Sequence, residues 1–299
     1  MSKIAIVTVL FNSEKVLDEY FKTLDNQRFK DFSLYLIDNN SSDSSLDKAR
    51  RLSNMVSFPC LFFPQDENWG VAKGNNIGIK AALKDGCEYV LLSNNDTVLN
   101  PDTIQALLDG ALRMKTSIAV PKIFYFDTGL IWYAGGKFDY FRGGTIHLGQ
   151  MQNDSAKYSY EKLTEYAPTC FMLIHRNVFD RVGLMDEDYF VYYDDTDFVW
   201  RATKLCNEKI AYIPLSTLKH KESYCTKSVG SDFKLFYSGR NFIYFVKKNY
   251  KGLRRISSLF YYKAHTFFIK RLKYSDRQMS IYLKGTAEGN CLAAKFRAK

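Results

Sequence analysis

The six cysteines of this 299-residue chain, Cys60, Cys87, Cys170, Cys206, Cys225 and Cys291, form no CxxC pair and show no metal-finger spacing. Most fall in apolar or helical contexts, which argues against a disulfide framework and for reduced thiols in the cytosol. No apolar run approaches the roughly 20 residues that a bilayer-crossing helix needs. Met1-Ser2-Lys3 passes directly into a strand-like run and leaves no room for a signal peptide. The expectation is a cytoplasmic protein, soluble or peripheral at the inner face of a membrane. Neither a P-loop nor a dinucleotide fingerprint is present. Acids are scarce in one place: from Phe233 onward there are 16 Lys and Arg against two acids, Asp276 and Glu288, a net of +14. Since the whole chain carries +10, residues 1–232 carry −4, and the two parts have different tasks.

With 46% hydrophobic residues the chain can bury a full core, enough for one large α/β domain with an appendage. We place the division at residues 1–225 and 226–299. In the stretch from Glu88 to Thr97, the run Tyr89-Val90-Leu91-Leu92 stops at Ser93-Asn94-Asn95-Asp96. That is the pattern of a buried central strand whose carboxyl end opens into a polar site. Asp96 supplies a hard anionic oxygen, and the two Asn side chains can bond hydroxyls or help hold a hydrated cation. A plain turn explains the same residues on backbone grounds alone.

Three earlier strands end in similar bursts. Ile4 to Leu10 leads into Phe11-Asn12-Ser13, with Ser13 as the expected N-cap of a helix through Leu17, Tyr20, Phe21 and Leu24. Phe32 to Ile37 leads into Asp38-Asn39-Asn40. Cys60 to Phe63 precedes a segment containing Gly70, Lys73, Gly74 and Asn75, after which Ile77 to Leu83 reads as helix. Strands alternating with helices predict a doubly wound, largely parallel sheet.

A second rich stretch runs from Asp186 to Arg201 and holds Asp194, Asp195 and Asp197 at a predicted helix start, where the dipole favours acids. Capping accounts for one of the three; another is a candidate general base. His220 follows a strand from Ile210 to Ile213, within reach of the site with Asp96, or is an ordinary surface histidine.

Taken in order, IVTVLFNS, LIDNNSSD, ENWGVAKGNNIGI, LLSNND, the stretch from Thr169 to Ala202 and His220 resemble a family 2 inverting glycosyltransferase of the GT-A fold, in its rhamnosyltransferase-like branch. The resemblance covers about the first three quarters of the chain. It implies that Thr8, Leu10, Asn12 and Asp38 line the nucleotide and that Gly70 to Asn75 pass close to the donor. Asn95 and Asp96 match the latter part of the family's DXD-type motif, with Asn94 where many members carry Asp. Asp96 and His220 would hold Mg²⁺ or Mn²⁺, Asp195 would be the catalytic base, and Asp194, Asp197 and Arg201 would support it. The implied reaction moves a sugar from a nucleotide-diphosphate donor, dTDP-rhamnose or a UDP-hexose, to a saccharide acceptor in bacterial surface polysaccharide assembly. A silent sugar-nucleotide binding module and a basic membrane or nucleic-acid adaptor are the alternatives.

The basic tail interleaves aromatics with Lys and Arg. Aromatics at helical spacing pack against the first part of the chain on ordinary amphipathic grounds. The other reading is a peripheral contact with the inner-leaflet surface, useful for an acceptor carried on a lipid diphosphate. Nucleic acid is not an expected partner, since no recognition motif accompanies the charge; self-association into a homo-oligomer is left open.

Overall fold

Apolar runs joined by amphipathic helices lay successive strands side by side in parallel, because a crossover helix returns the chain to the same end of the sheet. β1 (Ile4–Leu10), β2 (Phe32–Asp38) and β3 (Cys60–Pro64) follow this route through α1 (Leu17–Asp25) and α2 (Ser45–Ser53). Then α3 (Gly70–Lys84) carries the chain back, and β4 (Tyr89–Ser93) pairs with the free side of β1. The winding therefore reverses between β1 and β4, where an open α/β sheet forms a crevice at its strand ends.

The computed structural model describes residues 2–221 and 230–298. After β4 come β5 (Thr97–Leu99), α4 (Thr103–Arg113), β6 (Ile118–Tyr125) and β7 (Ile131–Tyr133). A hairpin of β8 (Gly136–Asp139) and β9 (Gly144–His147) precedes β10 (Lys162–Thr164) and β11 (Phe171–His175). Next are α5 (Asn177–Val182), α6 (Asp194–Trp200) and β12 (Ile210–His220). The main sheet runs β10-β12-β6-β11-β4-β1-β2-β3, and six of these eight strands point one way, with β11 and β10 opposed. The mostly parallel sheet flanked by helices is the one the alternation predicts.

Three local expectations need correction. Helix α3 starts at Gly70 instead of Ile77, because Gly74 and Gly78 let it lie directly on β1: a Cβ on Gly74 would sit 2.9 Å from Val9 Cγ2, and one on Gly78 would meet Val7. Ser13 does not cap α1, which begins after Val16; its hydroxyl instead accepts from the Asn95 amide at 2.9 Å. Strand β12 continues past Ile213 to His220, pairing with β5 and β6.

The C-terminal segment is helical: α7 (Ser231–Asn249), α8 (Gly252–His265), a π turn over Thr266–Lys270, α9 (Arg271–Lys273) and α10 (Asp276–Ala298). The 225/226 boundary and Cys225 lie outside the described residues; the other five cysteines are free thiols. Phe245 and Tyr250 pack on Trp200 of α6, with centroids 5.9 and 4.8 Å away, and α7 shares the main hydrophobic core. Among the described residues no helix is long and apolar enough to cross a membrane.

Candidate active site

Where β4 ends, the three polar residues separate by direction. Asn94 is exposed. Asn95 turns inward and donates to the Val9 carbonyl and the Ser13 hydroxyl, both at 2.9 Å, tying the end of β4 to that of β1. Asp96 is buried, with Oδ1 3.1 Å from His220 Nε2 on the last residue of β12. Strand β12 reaches this point because its pairing with β5 runs from Leu218–Leu99 to His220–Thr97. For a divalent cation the pair offers one carboxylate oxygen and one imidazole nitrogen. Such ions commonly take one or two side chains and complete their shell with phosphate oxygens and water. His220 Nδ1 is buried without a partner, so the ring engages through Nε2. The pair fits such an ion. Among the described residues no cluster of three or more His, Cys, Asp and Glu side chains forms a closed cage.

The three aspartates of α6 meet three environments. Asp197 is fully buried and salt-bridged to Lys248 at 2.7 Å and Arg201 at 2.8 Å, with Asn249 donating to it at 2.8 Å. Burial raises its pKa, but Lys248 and Arg201 outweigh that and hold it below the ordinary value. Arg201 also donates to the carbonyls of Val182 and Leu184. Asp197 and Arg201 thus brace the helix from the core side and do not face the cleft. Asp194 is buried too, and burial followed by repulsion from Asp195 pushes its pKa up. Asp195 is half-buried: the Tyr166 hydroxyl donates to Oδ2 at 2.6 Å, and the Thr196 amide and hydroxyl donate to Oδ1 at 2.6 and 3.0 Å. At Asp194 desolvation exceeds the help that one short helix start gives to an acid.

The turn before α6 is strained. Phe190, Tyr192 and Tyr193 have φ of 55°, 63° and 64°, left-handed values that cost bulky residues of order 1–3 kcal/mol each. Asn241 on α7 holds it by reaching the carbonyls of Tyr189, Val191 and Tyr192 at 2.9, 2.6 and 2.9 Å.

Residues that the sequence reading missed join the two ends of the site. Trp132 on β7 meets His220 edge-on, with centroids 4.9 Å apart, and His147 on β9 at 4.6 Å. His147 stacks on Tyr166 at 5.8 Å, and Tyr166 holds Asp195. The buried Cys170 thiol is raised first by burial and then by the charges of Asp96 and Asp195. The contacts from His220 through Trp132, His147 and Tyr166 link the Asp96 end of the site to the Asp195 end.

On the other side of the cleft, Asn12 accepts from the Ser42 amide at 2.8 Å and joins the loops after β1 and β2. Asp38 is buried with Oδ1 unpartnered, as is Asn39 Oδ1, leaving two acceptors for a ligand's N–H or O–H groups. Thr8 and Leu10 do not line this space. Both are fully buried, Thr8 hydrogen-bonded to the Tyr20 hydroxyl at 2.7 Å, and they support the site from beneath. Gly70 packs on the Phe190 carbonyl at a φ of 76°, Lys73 lies over the Trp69 ring, and Gly74 faces β1. Asn75 is buried against the Met185 sulfur. The segment from Gly70 to Asn75 is therefore a helix start docked on the strained turn and not an open phosphate loop.

Residues 5–183 match the family model described as glycosyl transferase family 2. The dTDP-rhamnosyl transferase RfbF of Shigella flexneri is 25% identical over 306 residues, spanning 96% of this chain and 95% of that protein. The N-acetylglucosaminyl-diphospho-decaprenol L-rhamnosyltransferase of Mycobacterium tuberculosis is 24% identical over 237 residues, 74% of this chain and 76% of that one. Against two further curated relatives the match spans 33% and 62% of their lengths. A mannosyltransferase of Pyrobaculum calidifontis, solved with GDP-Man and Mn²⁺, covers 100% of this chain and 79% of its own at a TM-score of 0.59 and 13% identity, a likeness of fold. The family match takes in well over half of the chain, including β1, β2 and β4 with the residues at their ends, and on that basis the chain belongs to glycosyl transferase family 2.

Proposed function

We propose that this chain is an inverting glycosyltransferase that moves a sugar from a nucleoside-diphosphate donor to a hydroxyl of a saccharide acceptor in surface-polysaccharide assembly. dTDP-rhamnose is the first donor to test and UDP-hexoses the next, since two relatives are named for rhamnosyl transfer. The name of the mycobacterial relative supports an acceptor carried on a lipid diphosphate. The observation that supports the reading is the unbroken path of side-chain contacts from Asp96 through His220, Trp132, His147 and Tyr166 to Asp195.

Asp195 accepts the proton of the acceptor hydroxyl as its oxygen attacks the anomeric carbon. The bond from that carbon to the diphosphate breaks on the opposite face, so configuration inverts and the nucleoside diphosphate leaves. Hydrogen bonds from Tyr166 and Thr196 hold the Asp195 carboxylate in a fixed orientation for proton transfer. Asp194, whose pKa is raised, adds little charge beside it. Asp38 and Asn39 accept from the base or ribose of the donor, and exposed Asn94 faces the transferred sugar. Mg²⁺ or Mn²⁺ held by Asp96 and His220 would supply charge neutralisation at the departing diphosphate. Residues 1–225 are the catalytic unit in this reading, with 226–299 as the helical extension that braces it.

Product formation from dTDP-rhamnose or UDP-hexoses, assayed with and without EDTA, tests the proposal. Asp195→Asn should lower transfer by about 10²–10⁴-fold, the usual contribution of a positioned general base. An unchanged rate in that variant removes Asp195 from the base role.

A further inference from the structure

Helix α8 packs Leu259 and Tyr262 on the core and turns three other apolar residues outward. Leu253, Ile256 and Phe260 are 83%, 64% and 70% exposed and spaced three and four apart, which puts them on one face. Phe267, Phe268 and Leu272 extend the surface beyond the π turn, and Phe141 in the β8–β9 turn joins its edge, all more than half exposed. An apolar surface of this extent marks an interaction site. Along this segment of the chain the charge has one sign, and Asp139 in the adjoining hairpin is paired with Arg142. No acid occurs from Phe233 through Ser275, whereas Lys251, Arg254, Lys263 and Lys273 are exposed along or beside the stripe. Bulky apolar side chains flanked by unopposed cations match an acyl boundary under anionic headgroups.

The face is also tied to the acceptor end of the cleft. Ser258 on the inner side of α8 donates to the Tyr140 carbonyl at 2.9 Å, and the Arg254 guanidinium lies 4.6 Å from the centre of the Tyr140 ring. Tyr140 directly follows β8 in the hairpin whose other strand carries His147, which stacks on the Tyr166 that holds Asp195. We propose that α8 and the turn after it dock in the plane of an anionic bilayer leaflet, with Leu253, Ile256 and Phe260 inserted and the cations on phosphates. The inference goes beyond the transfer chemistry and does not depend on it.

Co-sedimentation of the full chain tests this, with vesicles of equal parts phosphatidylglycerol and phosphatidylcholine against vesicles of phosphatidylcholine alone. The parent should bind the anionic vesicles at least about tenfold more tightly, and raised salt should weaken that binding. Leu253→Ser/Ile256→Ser/Phe260→Ser should lose at least about tenfold on the anionic vesicles with an unchanged circular dichroism spectrum, since all three side chains are solvent-facing. Lys251→Glu/Lys263→Glu should abolish the preference for anionic lipid. The proposal is overturned if the parent binds neither vesicle, if the serine variant binds as the parent does, or if the parent is a dimer that the serine variant dissociates, which would make a second copy the occupant. Transfer to a soluble acceptor is read in parallel and separates failure of docking from failure of the chemistry.

Discussion

The core side and the cleft side of α6 carry aspartates two residues apart with opposite surroundings. On the core side, Asp197 is enclosed by Lys248, Arg201, Asn249 and Tyr189, every one a donor. Two cations stabilise its charge so well that it is a poor acceptor for a proton. On the cleft side, Asp195 is held by a phenol, an amide and a hydroxyl, which orient the carboxylate without pairing it to a cation among the described residues. In a run of acids, the neighbours that the fold supplies set the three apart, and the proposed mechanism uses the one that no cation holds.

The strongest way to break the comparison is at the core side. Asp197→Ala leaves Lys248 and Arg201 without their shared buried partner and should destabilise the protein by about 3–5 kcal/mol, a fall in Tm on the order of 10 °C. Because the pKa of Asp197 is lowered on folding, its contribution is present above the unfolded carboxylate value and lost as pH falls through the folded one. The gap in Tm between parent and variant should therefore narrow in acid. A gap that is small at neutral pH would mean that α7 is held to α6 by aromatic packing alone.

A smaller effect is expected on the cleft side. Tyr166→Phe removes one donor from Asp195 and should lower kcat by about tenfold, near the net worth of one hydrogen bond to a charged group. Losing that donor loosens the aim of the Asp195 carboxylate, so the loss should fall on kcat and leave KM near the parent's. A loss that falls on KM instead would assign Tyr166 to packing against His147 and Phe138.

Much of this arrangement was legible in the sequence. Buried strands ending at Asn12, Asp38 and Asp96 fix the sheet's winding, and the crevice at its switch point follows from topology. Hidden from a linear reading were the residues whose partners lie far away in sequence. Trp132 and Tyr166 sit in the short strands and loops between β6 and β11, with no periodic pattern to mark them, and Asn241 lies in a tail whose basic charge suggested an appendage. The segment from Gly70 to Asn75 was expected beside the donor and the helix only from Ile77, yet Gly74 and Gly78 are spaced as one helix face, and that face lies on β1. Thr8 and Leu10 sit near a strand end, but alternation cannot tell a cleft from a core when both sides of the sheet are covered.

The smallest effect concerns the third aspartate and sharpens the contrast most. Asp194 is buried beside Asp195 with its pKa raised, so its contribution to folding is complete below the unfolded carboxylate value and is lost as pH rises through the folded one. Asp194→Asn keeps the shape and removes that loss. Its Tm should match the parent's in acid and exceed it by a few degrees, about 2–4 °C per kcal/mol for a chain of this order, at alkaline pH. Because burial keeps the Asp194 pKa raised, the side chain adds little charge to the site, and its replacement should leave kcat close to the parent's, in contrast to Asp195→Asn. A loss in Asp194→Asn as large as that of Asp195→Asn would move the base role from Asp195 to its neighbour.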